Sequence, residues 1–284
     1  MPEHQGPTDK VEKVELPSEI QRVLWTKRQG APGGEVGLEV ITQFVGNNSE
    51  MKIELKSHSG KTLETIKKKI ASNRFWSKIK IPDDARDALL ANVKLPKHKL
   101  EMESNLLIVL PPIEITNLQW DKPEARRGDV LKLTADIAGP PDGTEADVEI
   151  WEHDADEVHD LITKLSTEIE SNKIELDWEY EYHEDTDEIP TEEELEKGYN
   201  PPEYFFRVIV GGISADSDLL LFKDWIEIDL RSESGARIPD AKYVVKMADN
   251  TEIEGTLDNL GKARVEDVIP GPYWVRFPEF EEET

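Results

Sequence analysis

The chain has 284 residues, enough for two or three domains of about 100 to 150 residues each. Its 34 Lys and Arg against 61 Asp and Glu give a net charge of −27, which repels a polyphosphate backbone and argues against nucleic-acid binding. Cysteine is absent, so disulfide frameworks, thiolate zinc centres and cysteine nucleophiles are excluded together, while 37% hydrophobic residues with seven Trp suffice for packed cores.

Met1 to Ser18 holds Pro2, Pro7 and Pro17, has no period and reads as a flexible arm. It lacks the apolar run of a secretory signal, and no stretch reaches the ~18 apolar residues of a membrane span. The expectation is synthesis in the cytoplasm, with incorporation into a secreted particle or virion left open. From residue 19 the text becomes strand-like. Val36, Leu38, Val40, Thr42 and Phe44 alternate with mostly polar neighbours, and Met51, Ile53 and Leu55 do so after the turn Gly46-Asn47-Asn48. Phe75, Ser77, Ile79 and Ile81 form a further alternating run, and Leu106–Leu110 is an apolar run stopped by Pro111-Pro112. Lys61 to Ile70 is ambiguous, since Leu63, Ile66 and Ile70 have helical spacing, whereas its counterpart Leu161 to Ile169 alternates as a strand.

The second stretch repeats the first. Trp25, Gly34-Glu35-Val36 and Leu38-x-Val40 are echoed by Trp120, Gly128-Asp129-Val130 and Leu131-x-Leu133. Met51-x-Ile53-x-Leu55 answers Ala146-x-Val148-x-Ile150, Ser72-Asn73 answers Ser171-Asn172, and Ser104-Asn105-Leu106-Leu107 answers Ser217-Asp218-Leu219-Leu220. The growing offset puts an insertion in the second copy, within 181–203. Its part Glu181 to Lys197 holds nine carboxylates, and Thr191 with Glu194 after Pro190 has the form of a capping box. Glu184, Asp185, Asp187, Glu188, Glu192, Glu193 and Glu194 are the candidate partner-binding residues, an exposed acidic surface suited to a basic partner.

A third segment opens at Trp225. Ile226-x-Ile228-x-Leu230, Tyr243-Val244-Val245, Gly255-x-Leu257 and Tyr273-x-Val275-x-Phe277 are short strands, with Asn, Asp and Gly at the corners. The organisation predicted is an arm over 1–18, β-sandwiches over 19–112 and 113–224, and a smaller one over 225–284 with an acidic tail. The short link Phe222-Lys223-Asp224-Trp225 predicts a stiff joint.

Two resemblances enter on these residues. Gly235-x-x-Ile238-Pro239, Tyr243-x-Val245, Asp249-Asn250, Gly255-x-Leu257-Asp258-x-x-Gly261 and Pro270-Gly271 before Val275-x-Phe277 resemble a transthyretin-like or carboxypeptidase-regulatory-like module, with Asn250 where that pattern more often has Gly. Similar modules close spike proteins of type VI secretion and contractile injection particles. The tandem Trp, Gly-[Asp/Glu]-Val domains look like immunoglobulin-like repeats. The resemblance implies an all-β chain of two immunoglobulin-like domains and a transthyretin-like sandwich. It also implies a structural or adaptor role beside spike, sheath or toxin components, and it names no active site. The alternative is a carbohydrate or cell-wall binding protein.

The chemistry-bearing patterns stay incomplete. Gly60-Lys61-Thr62 ends like a P-loop, but Leu55 occupies the first glycine position, so a hairpin turn is expected. His153 and His159 flank Asp154, Asp156 and Glu157 without the spacing of a zinc site, and neither this run nor Glu184 to Glu188 follows a calcium loop. Ser57-His58-Ser59 has no strand-to-helix elbow around it. Neither enzymatic activity nor a cofactor or metal is expected. Trp25 and Trp120 are expected to seal their sandwiches, the alternative being exposed platforms.

Overall fold

The computed structural model describes residues 8, 13, 15–126, 128–153, 159–179, 203–247, 249–271 and 273–280. The carboxylates proposed from sequence at Glu184 to Glu194, the capping box, Asp154, Asp156 and Glu157 lie outside the described residues. Strands dominate, and among the described residues there is no α-helix and no helix long and apolar enough to cross a membrane.

In the first sandwich, β1 (Glu19–Trp25), β3 (Glu35–Gln43) and β6 (Arg74–Lys80) form one sheet in the order β1-β3-β6. The facing sheet contains β2 (Gln29–Gly30), β4 (Ser49–Ser57), β5 (Thr62–Ile70), β7 (Ala88–Leu95) and β9 (Leu107–Val109), in the order β2-β9-β7-β4-β5, with β8 (Leu100–Glu103) on β7. Because successive side chains in a strand point to opposite faces, the alternating Val36, Leu38 and Val40 meet Met51, Ile53 and Leu55 in one core. The ambiguous stretch before Ile70 is strand β5, since pairing along the whole of β4 supplies hydrogen bonds that helical spacing alone does not. Gly60, at φ +83°, makes the β4–β5 hairpin turn, and its N–H donates to Ser57 O at 2.8 Å.

The second sandwich repeats this plan. Its three-stranded sheet is β10 (Glu114–Trp120), β12 (Val130–Ala138) and β15 (Lys173–Glu179). The facing sheet runs β11 (Glu124–Arg126), β18 (Leu220–Asp229), β16 (Glu203–Val210), β13 (Glu145–Glu152), β14 (Asp160–Glu168), with β17 (Ile213–Asp216) on β16. The repeat extends to single hydrogen bonds. Ser104 Oγ accepts from Ala91 N–H at 2.9 Å, as Ser217 Oγ accepts from Phe206 N–H at 3.0 Å. The turns Ser72-Asn73 and Ser171-Asn172 place both central residues at positive φ (50° and 58°, 53° and 60°), the backbone of a tight hairpin.

The C-terminal strands β19 (Lys242–Met247), β20 (Glu252–Thr256) and β22 (Tyr273–Arg276) pair in the order β20-β19-β22, and β21 (Lys262–Val268) pairs with the second half of β18. Ile226, Ile228, Tyr243, Val245, Leu257 and Val265 share its core. Asn250 adopts φ +69°, a conformation that asparagine tolerates better than most residues, and so it serves where a glycine was expected. The chain is an all-β series of sandwiches. It divides into two compact units: Met1–Glu114 with Ala138–Glu145 and Ile209–Ser214, and Ile115–Ile137 with Ala146–Val208 and Ala215–Thr284.

Candidate interaction surfaces

In the second unit, β18 passes without interruption from one sandwich into the next. Its first half pairs in parallel with β11, Glu124 to Arg126 lying against Leu221 to Lys223, and its second half pairs antiparallel with β21. A bulge between Asp224 and Ile226 marks the crossing and turns Trp225 outward, where the Arg264 guanidinium lies 4.1 Å from its ring centroid. Arg126 on β11 reaches Asp267 on β21 in a charge-assisted hydrogen bond. A depression of about 300 Å³ at this joint is lined by Lys122, Glu124, Arg126, Asp129 and Lys223. Its charges are internally matched, with Lys223–Glu124 at 2.8 Å and Lys122–Asp129 at 3.6 Å. Such a lining braces the joint instead of offering a ligand a free charge.

The outward faces of the larger sheets carry ion-pair ladders. In the first sandwich Glu54, 8% exposed, lies between Lys52 at 2.7 Å and Lys94 at 2.9 Å. Their hydrogen bonds hold its carboxyl down to about 2 against the opposing effect of burial. In the second sandwich one ammonium serves two carboxylates, Lys164 lying 3.2 Å from both Asp147 and Glu149. Burial lowers the Lys164 pKa, but the hydrogen bonds to the two acids outweigh it and raise the value above the ordinary one. Arg207 closes the face with two bonds to Asp216, at 2.6 and 2.8 Å, and stacks over Trp151 and Phe205.

Large exposed aromatic side chains stand on edge strands. Trp76 on β6 is 62% exposed, and on β22 Tyr273 and Trp274 are 46% and 52% exposed. The charge is also segregated, contrary to the uniform repulsion expected from the net value. Residues 19–112 carry sixteen Lys and Arg against eleven Asp and Glu, and residues 113–224 carry nine against thirty-two. The signal for this lies in the composition of each segment and is hidden in that of the chain as a whole.

The described residues of the remaining chemical candidates pack against their neighbours. His153 and His159 stack with centroids 5.0 Å apart, and His159 meets Phe205 edge-on. Among the described residues no group of three His, Asp or Glu side chains is placed to hold a metal ion. Ser57 Oγ bonds Ser59 Oγ at 2.9 Å across the hairpin, and the His58 N–H donates to Ala88 O.

No protein-family model matches the chain, and no characterised protein matches its sequence. Several solved structures are similar in part. Trypsin-activated α2-macroglobulin from Escherichia coli shares 10% identity over 92% of this chain and 23% of that one, with a TM-score of 0.28. A tetra-tandem repeat in the extending region of a large adhesion protein shares 8% over 90% and 72%, with a TM-score of 0.25. The adhesin InvE of Yersinia pseudotuberculosis shares 8% over 72% and 60%, with a TM-score of 0.26. The chain thus spans about a quarter of the length of the α2-macroglobulin. At such scores the fold rests on the strand pairing described above.

Proposed function

We propose that this chain is a non-catalytic structural or adaptor protein that presents β-sandwich surfaces to protein partners. The observation that carries this reading is β18, one strand that belongs to two sandwiches and is clamped at the crossing by Trp225 with Arg264 and by Arg126 with Asp267. A shared strand removes the free linker torsions that let domains tumble, so a surface on one sandwich is held in register with a surface on the next. A part that transmits position needs that arrangement.

What supports a place in a contractile injection, secretion or phage-tail-like apparatus is the transthyretin-like pattern of Asp229 to Phe277. The carboxylates Glu184, Asp185, Asp187, Glu188, Glu192, Glu193 and Glu194 are the proposed contact for a basic partner, accelerating encounter through long-range attraction. A second reading, sugar or cell-wall binding, draws on the exposed Trp76, Tyr273 and Trp274.

Affinity capture with the full chain, beside a version lacking Glu181 to Lys197, tests both. Recovery of spike, sheath or toxin components by the full chain and their loss in the deletion support the adaptor. Retention on purified cell wall or glycan without any captured protein overturns it and supports the sugar-binding reading.

A further inference from the structure

Two of the three-stranded sheets, those of the first and second sandwiches, end on equivalent edge strands, β6 and β15, each paired among the described residues on one side only, with β3 and with β12. Residues opposite the outward side chains of β3 and β12 fix which faces they share. On β6 the outward residues are Arg74, Trp76, Lys78 and Lys80, opposite Ile41, Glu39, Gly37 and Glu35. On β15 they are Lys173, Glu175, Asp177 and Glu179, opposite Asp136, Thr134, Lys132 and Val130. At the last two equivalent positions lysines on one strand become carboxylates on the other. Lys78, Asp177 and Glu179 make no ion pair with any described residue, and Lys80 reaches only the exposed Asp83 at 3.8 Å. Trp76 projects between Arg74 and Lys78 above Gly37, where an added Cβ would lie 3.3 Å from the indole Nε1.

An unpaired edge is a template for another strand, and like charges along it block pairing with its own copy. Two β6 edges meeting antiparallel about a two-fold axis set Lys78 against Lys80 when centred on Ile79, and Lys80 against Arg74 when centred on Ser77. Two β15 edges centred on Trp178 set Asp177 against Glu179, and centred on Leu176 they set Glu175 against Asp177. β6 against β15 suffers neither conflict. An antiparallel register shifted by two residues sets Lys80 beside Glu175 and Lys78 beside Asp177, with both outer faces on the same side of the joined sheet.

We propose that this chain associates with a second copy of itself, the β6 edge of one copy adding to the β15 edge of the other as a continuous sheet. Charge complementarity identifies the occupant: residues 19–112 are net positive and residues 113–224 net negative, so only unlike sandwiches attract. The contact is heterologous and gives a dimer or a longer chain according to whether it closes. It deepens the structural reading above but is tested without any foreign partner, so either can fail alone.

Two copies of net charge −27 repel at long range, over a screening length of about 30 Å at ~0.01 M salt but about 8 Å at ~0.15 M. The edge contact acts within about 5 Å, the spacing of paired strands. Association therefore peaks at intermediate salt and weakens toward both ~0.01 M and ~1 M.

The experiment is sedimentation velocity of the full chain over a concentration series at these three salt levels, with two variants checked for unchanged circular dichroism. Variant one carries Lys78→Glu and Lys80→Glu, and variant two carries Asp177→Lys and Glu179→Lys. Each alone weakens self-association about tenfold or more, and an equimolar mixture restores it, because each variant now offers the edge the other lacks. A wild-type chain that stays monomeric at intermediate salt overturns the proposal. So does association that both variants retain, and so does a mixture no better than either variant. Wild-type binding to a single-stranded oligonucleotide, lost in variant one and without self-association, assigns the β6 edge to a phosphate backbone and equally overturns it.

Discussion

The two repeated sandwiches solve one packing problem in opposite ways. In the first, Trp25 is 2% exposed and its indole N–H is buried with no hydrogen-bond partner among the described residues, while the ladder position paired with Ser104 is Ala91. In the second, the equivalent position is Phe206, which lies edge-on to Trp120 at 5.0 Å. Trp120 is only half-buried, and its Nε1–H donates to Asp218 O at 3.2 Å. One sandwich hides the whole indole and leaves its donor without a partner among the described residues. The other fills the space with a second ring and lets the donor find a carbonyl. The cost of an unmet donor, about 1–3 kcal/mol, is comparable with the gain from burying more of an aromatic ring, so both solutions persist within one chain.

The largest effect is expected from removing the ring that distinguishes them. Phe206→Ala opens a cavity in a fully buried site and is expected to cost about 3–5 kcal/mol, whereas Ala91→Phe overfills the first sandwich at about 1–3 kcal/mol. Urea unfolding followed by tryptophan emission checks both. A loss below about 1 kcal/mol for Phe206→Ala would show that the Trp120 cluster is not what holds the second sandwich.

The ion-pair ladders of the two sandwiches are inverted in charge. Glu149 answers Glu54 in the repeat, but Glu54 sits between two lysines and Lys164 between two acids. Lys164→Met leaves Asp147 and Glu149 facing each other on a largely buried row, and about 2 kcal/mol should be lost. Glu54→Gln leaves two lysines that can swing into water, so about 1 kcal/mol is expected. Equal losses would mean that the sign of the central charge is irrelevant.

The same inversion predicts opposite pH limits. The Glu54 pKa lies below its ordinary value, so its contribution is complete above about 4.5 and disappears as pH falls toward about 2. The Lys164 pKa is raised, so its contribution is complete below about 10.5 and disappears as pH rises through the folded value. Thermal unfolding of Glu54→Gln should therefore show a flatter acid limb than wild type, and Lys164→Met a flatter alkaline limb. An unchanged acid limb in Glu54→Gln would remove this carboxylate from the acid response.

Much of this architecture was legible. Alternation in Met51-Ile53-Leu55 and the paired Ser-Asn turns carried the repeat, because strand period and positive φ are local properties that sequence records directly. The strand nature of Lys61 to Ile70 was not, since Leu63, Ile66 and Ile70 fit a helix equally well until β4 is there to pair with them. The charge inversion between β6 and β15 was written in plain residues, yet it means nothing until pairing shows which side chains face outward and that both strands are edges. The proposed carboxylates at 184–194 rest on composition alone.

The smallest effect concerns the joint. Arg126 and Asp267 are both about half exposed, so Arg126→Ala should change stability by no more than about 0.5 kcal/mol. Its effect on geometry is the sharper measurement, because the pair links β11 to β21 across the point where β18 bulges. Trp225 packs under Arg264 at that point, so loosening the clamp should leave the thermal transition in place while broadening the distance distribution between spin labels on β14 and β20. A distribution as narrow as the wild type would show that the shared strand alone sets the joint. A broad one in both proteins would mean that a continuous strand does not hold two sandwiches in register, and the positional role proposed for this chain would lose its physical basis.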